Sequence, residues 1–110
     1  MERNSYFIFL EALSKSNQQL NLNHTEQLLL DEVAKATDTG AVVRVKDLIS
    51  LHQIASQATL HKALSNLVTK KLILLKISKH DGRQKDVQLS KLAQQRYAQL
   101  SKAIVDATRK

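Results

Sequence analysis

The chain has no cysteine, no proline and no tryptophan, and among its 110 residues there are only two glycines and four aromatics. Lack of cysteine excludes a disulfide framework and thiolate metal sites, and agrees with a reducing compartment. Without proline, the turns have to come from Gly40, Gly82 and polar caps. No apolar run approaches the roughly eighteen residues a membrane span needs. The longest near the N-terminus, Tyr6 to Leu10, is too short for a signal-peptide core. The expectation is a cytoplasmic protein of one domain, residues 1–110, with no membrane partner.

Acidic residues are also scarce, 10 against 17 lysines and arginines, and the resulting +7 is unevenly placed. Residues 1–40 carry three basic and six acidic side chains, net −3, whereas residues 41–110 carry fourteen and four, net +10. With a pI near 9.9, this asymmetry suits a protein that turns one face toward a polyanion. Catalysis has little to work with. His24, His52, His61 and His80 are scattered, with no pair at i, i+4 beside a glutamate. His80 next to Asp81 falls at an exposed turn where no cleft excludes water. No nucleophile with its base and no phosphate-cradling loop is recognisable, so neither an enzyme, a cofactor nor a metal is expected.

What is present is a clear order of elements. Asn4 to Ser14 is apolar on more than one helical face. Asn23 and Glu26 have capping-box spacing, and Leu28, Leu29, Val33 and Ala36 continue a helix that Gly40 can end in a left-handed conformation. AVVRV, 41–45, reads as a brief strand, and a short helix follows from Lys46 to about Gln53. After a three-residue turn, Ser56 caps QATLHKALSNLVTKK, in which Leu60, Leu64, Leu67 and Val68 form the apolar stripe. Gln57, Thr59, His61, Lys62, Ser65 and Asn66 lie off that stripe. Two short helices joined in this way have the layout of a helix-turn-helix.

From Leu72 the period becomes two, and strands through Ile73–Ile77 and Val87–Leu89 flank SKHDGRQKDVQLS. A hairpin centred on Gly82 pairs Ile77 with Val87 and Leu75 with Leu89, and calls for an odd loop with glycine at positive φ. Ser90 can cap a last helix in which Ala93, Tyr97, Leu100, Ile104 and Ala107 make a heptad seam. All four aromatics fall in the first and last helices, which suggests a joint platform for homodimerisation.

This order resembles a winged helix-turn-helix, and more narrowly the MarR-type transcriptional regulators. The resemblance rests on SQATLHKALSNLVTKKLI, 56–73, similar to the family's recognition helix leading into its first wing strand, and on DGRQKDVQLS, 81–90, similar to its wing signature. It covers roughly residues 23–108. The chain departs from the family at Lys71, where a glycine is usual, at Gly82, where the wing motif has a middle arginine, and in a C-terminus shorter than that of fuller members.

The resemblance implies a mainly α fold with a small β-hairpin wing. Residues 42–90 would form the helix-turn-helix and wing, and residues 1–22 and 91–110 the dimerisation helices. It further implies binding to double-stranded DNA as a transcriptional regulator, with Ser56, Gln57, Thr59, His61, Lys62 and Ser65 in the major groove. Arg83 would enter the minor groove, held by Asp81, with Lys79, His80 and Lys85 close to phosphates. Arg44, Lys46 and Lys76 are weaker backbone candidates, and Lys70 and Lys91 are either backbone contacts or solubilising charges. The dimer face would draw on Tyr6, Phe7, Phe9, Leu10, Leu13, Ala93, Tyr97, Leu100 and Ile104. A small-molecule effector stays open. The alternative is a winged helix that serves as a protein-interaction module within a larger assembly.

Overall fold

Side-chain caps start four of the five helices. A computed structural model of the chain describes residues 3–79 and 82–109. In it Asn4 accepts from the backbone N–H groups of Tyr6 and Phe7 and opens α1, Ser5–Gln19. Asn23 and Glu26 form a reciprocal capping box at the start of α2, His24–Asp38. Ser56 caps α4, Gln57–Thr69, and Ser90 caps α5, Lys91–Thr108. Between α2 and α4 lie β1, Val43–Arg44, and α3, Val45–Leu48. β1 is shorter than the five residues expected. α3 ends well before Gln53, because Ser50 and the turns at Leu51 and Ile54 divert the chain, so the link to α4 runs over residues 49–56 rather than three.

The ends of α1, α2 and α4 share one device. In each, the N–H of the second residue past the cap bonds back to the third-last helical carbonyl: Leu22 to Asn17, Ala41 to Ala36, Leu72 to Leu67. The residue between is left-handed: Asn21 at φ 54°, Gly40 at φ 78° and Lys71 at φ 61°. These are Schellman motifs. Only Gly40 was readable as one, since glycine alone adopts that conformation freely. Lys71 therefore keeps the turn that a glycine would make, at a steric cost. Lys71→Gly is expected to stabilise the fold by about 1 kcal/mol and raise Tm by about 3 °C in a thermal melt.

β2, Ile73–Ile77, and β3, Lys85–Leu89, complete a three-stranded antiparallel sheet in the order β1-β3-β2. The register corrects the expected one. Ile73 faces Leu89, Leu75 faces Val87 and Ile77 faces Lys85, and the Ser78 N–H donates to the Gln84 carbonyl. The loop is odd-numbered, as parity required, but the pairing centres the hairpin one residue before Gly82. Gly82 has no positive φ. Because the shift is by whole pairs, Ile73, Val87 and Leu89 still enter the core, while the outer pair leaves Ile77 exposed.

That core joins Leu29, Leu30 and Val33 of α2 to Leu60, Ala63, Leu64 and Leu67 of α4, with Leu48, Leu72 and Ala93 closing its edges. Val68, expected on the stripe, is exposed. The terminal helices pack antiparallel: the Ser5 hydroxyl donates to the Ala107 carbonyl at 2.9 Å, and Arg96 Nη1 donates to Ser16 Oγ at 2.8 Å. The heptad seam of α5 is thus divided: Ala93 and Tyr97 join the main core, Leu100 lies on the α1 side, and Ile104 stays half exposed. Arg96 is 2% exposed, lies against the Tyr97 ring, and its Nε and Nη2 meet no acceptor in hydrogen-bond geometry among the described residues.

Candidate nucleic-acid interface

With residues spaced 100° apart, the four buried side chains of α4 leave an outer face centred on Ala58, Lys62, Ser65 and Thr69, with His61 beside them. All five are exposed. Ala58 and Thr69 were missed in the sequence, although helical spacing alone places them there. Gln57 and Thr59 lie on the flanks of that face. Ser56 and Thr59 are partly occupied with each other, since Ser56 Oγ donates to Thr59 Oγ1 at 3.0 Å and accepts from the Thr59 N–H. No carboxylate occurs anywhere in residues 48–80, so the α4 face is free of acidic groups along its own segment.

Asn66 and Lys70 turn the other way. Asn66 Nδ2 donates to Glu26 Oε2 at 2.9 Å and Lys70 Nζ donates to Glu26 Oε1 at 2.6 Å, while Lys70 also donates to the Asn21 carbonyl. Lys70 is therefore engaged within the fold rather than free to meet a polyanion. Burial pushes the Glu26 carboxyl upward, but the bonds from Lys70, the Asn23 N–H and Asn66 outweigh it and hold the pKa below the usual 4.5. Since the folded-state value is the lower one, the stability this carboxylate adds is complete above about pH 4.5 and is lost as pH falls through the folded-state value. Glu26→Gln is expected to lower stability at neutral pH and to flatten the acid limb of a denaturation series, measured by circular dichroism from pH 7 downward.

A second basic surface forms where β1 and α3 meet the wing. Arg44, Val45, Lys46 and Ile49 on one side and Arg83, Gln84 and Lys85 on the other line an open cleft of about 340 Å³. Arg44 is half-buried there. Its backbone N–H donates to Asp47, and its Nε stands 3.9 Å from Asp86 Oδ1, its cross-strand partner. Lys46, Lys76, Lys79, Arg83 and Lys85 are exposed. His80 and Asp81, and with them the expected hold of Asp81 on Arg83, lie outside the described residues.

The residues expected at a dimer face divide into two groups. Ala93 and Leu100 are buried within the chain, Ala93 in the main core and Leu100 on the α5 side turned toward α1, so neither can meet a second copy. Phe9, Leu10, Leu13 and Tyr97 are half-buried. Tyr6, Phe7 and Ile104 stay 62%, 57% and 50% exposed, joined by Val105 at 56%, which the heptad reading overlooked because it lies off the seam. Below them, Phe9, Asp31, Ala34, Tyr97 and Ile104 line a groove of about 780 Å³. Tyr97 O–H donates to Asp31 Oδ1 at 2.6 Å, and burial, then Asp31, raises the phenol pKa against the opposing pull of Arg96. Among the described residues no three histidines or carboxylates group as metal ligands, and no helix is long and apolar enough to cross a membrane.

No protein-family model and no curated protein sequence matches the chain. Solved structures do. MepR of S. aureus in its DNA complex superposes with a TM-score of 0.73 at 17% identity, over 87% of this chain and 69% of that one. Reduced AbfR bound to DNA gives 0.62 at 20% identity, over 92% and 70%. The transcriptional regulator Tm0710 from Thermotoga maritima gives 0.70 at 12%, over 92% and 67%. The chain has the winged-helix fold of these structures. In this winged helix, α3 and α4 are the helix-turn-helix and the β2–β3 hairpin is the wing. At these identities the likeness establishes the architecture.

Proposed function

We propose that the protein is a transcriptional regulator that reads double-stranded DNA as a homodimer, with α4 in the major groove and the wing against the adjacent backbone and minor groove. The carrying observation is the cleft at which Arg44 and Lys46 meet Arg83 and Lys85, residues some forty positions apart in sequence, in a fold whose helix α4 has an outer face that bears Lys62, His61 and Ser65 and no acid. Phosphate contacts from such a cleft would set register, and the α4 side chains would carry base discrimination. That MepR and AbfR have each been seen with DNA on the same fold supports the reading.

Residues 42–90 then serve as the DNA-binding unit and residues 1–22 and 91–110 as the dimer platform, with Tyr6, Phe7, Ile104 and Val105 supplying its exposed apolar face. A cytoplasmic, non-catalytic role follows from the same reading. Use as a protein-interaction module has less support, because α4 offers neither an apolar outer face nor alternating charge. Selection of bound duplexes from a random pool tests the proposal: a pseudo-palindrome with half-sites about one helical turn apart is expected, and recovery of no shared sequence would overturn it.

A further inference from the structure

We propose that Glu26 is the positioning residue that sets how α4 is presented, by fastening the last turn of that helix to the α1–α2 corner. The consequence for DNA reading rests on the function proposed above; the geometry does not. Glu26 is 1% exposed, and its two oxygens join three segments. Oε1 accepts from the Asn23 N–H at the start of α2 and from Lys70 Nζ in the C-cap of α4, and Oε2 accepts from Asn66 Nδ2 one turn earlier. Lys70 reaches on to the carbonyl of Asn21, the left-handed residue that ends α1.

The remainder of the α2–α4 contact is apolar, Leu29, Leu30 and Val33 against Leu60, Ala63, Leu64 and Leu67. Such packing is strong but not directional, whereas hydrogen bonds to a carboxylate fix angle as well as distance. Asn66 and Lys70 are four residues apart on one helical face, so the carboxylate grips α4 at two points and resists rotation about its axis. The grip lies at the C-terminal end, and the thirteen residues of α4 extend about 20 Å from it. A tilt of about 3° at the grip displaces Gln57 by ~1 Å, enough to break hydrogen-bond geometry with a base edge. The same bonds connect α4 to the end of α1, so a shift of the platform helix reaches the reading helix through Lys70.

Absence of cysteine makes the test direct, since spin labels at Gln18→Cys and Ala58→Cys would be the only ones attached. The distance between them, from the α1 end to the start of α4, is read in the full chain by pulsed electron resonance, and affinity for the selected and a scrambled duplex is measured on the same variants without the two cysteines. Measurements are made where circular dichroism shows each variant fully folded. The parent and Lys70→Arg are expected to give one narrow distance distribution. Glu26→Gln and Lys70→Met are expected to shift or broaden it, and to lose about tenfold in selected-over-scrambled affinity, the value of one good base contact, with an unchanged salt slope. If Glu26→Gln does not fold, Lys70→Met, which leaves the α2 capping box intact, carries the test. Folded variants with parental distances and parental discrimination would overturn the proposal and leave Glu26 a stabilising residue only. A distance shift in a chain whose parent fails to discriminate duplexes would retain the clamp and remove the DNA reading.

Discussion

Replacing Lys62 and Arg83 by alanine, singly, is expected to weaken binding to the selected duplex by about ten- to a hundredfold each while leaving Tm almost unchanged. The two losses should differ in kind. Lys62 sits near the middle of the α4 outer face, exposed and away from the Glu26 network, so its removal should erode discrimination between sequences more than the salt dependence. Arg83 lines the basic cleft with Arg44, Lys46 and Lys85. Its loss should weaken selected and scrambled duplexes alike and reduce the log-log salt slope by about 0.9. A drop of several degrees in Tm for Lys62→Ala would mean that its side chain supports the fold instead.

A larger effect is expected from a charge in the apolar face of the terminal helices. The antiparallel register that brings Ser5 to Ala107 sets Phe7 beside the Ile104–Val105 step, and the Tyr6 and Phe7 rings lie 5.7 Å apart. All four side chains are at least half exposed in the isolated chain, so Phe7→Glu together with Ile104→Glu removes little of the intrachain core. The double variant should remain folded, run as a monomer in light scattering, and lose about 10²-fold or more in affinity for a two-half-site duplex, as linked binding becomes single-site binding. Retention of dimer mass would place the interface elsewhere.

How far the sequence could be read depends on how local each signal is. Three helix starts were legible from their caps, because Asn23, Ser56 and Ser90 act within three residues of themselves, whereas α3 begins at Val45 without a side-chain cap, inside the stretch that reads as a strand. The helix ends were legible only at Gly40. Asn21 and Lys71 adopt the same left-handed conformation, but their side chains do not announce it. Alternation gave the faces of β2 and β3 and the parity of the wing loop, yet not its centre, since Leu75 opposite Val87 satisfies the pattern as well as Leu75 opposite Leu89.

At the candidate site the polar face of α4 followed from helical spacing, whereas the partners of Asn66 and Lys70 lie 40 and 44 positions away in Glu26. Nothing within α4 distinguishes those two from groove-facing side chains. The heptad pattern of α5 does not say which element each side chain meets: Ala93 and Tyr97 join the main core, Leu100 is buried inside the chain, and Ile104 stays half exposed. Likewise the cleft at Arg44 depends on β1 pairing with β3, a contact across 42 to 44 positions.

The most direct test of the DNA reading is the affinity of the intact protein for its selected duplex between about 50 and 200 mM salt. With basic side chains of both cleft walls on phosphates in each copy, log affinity should fall against log salt with a slope steeper than about −4. A flat dependence, or no binding at the lowest salt, would contradict the account.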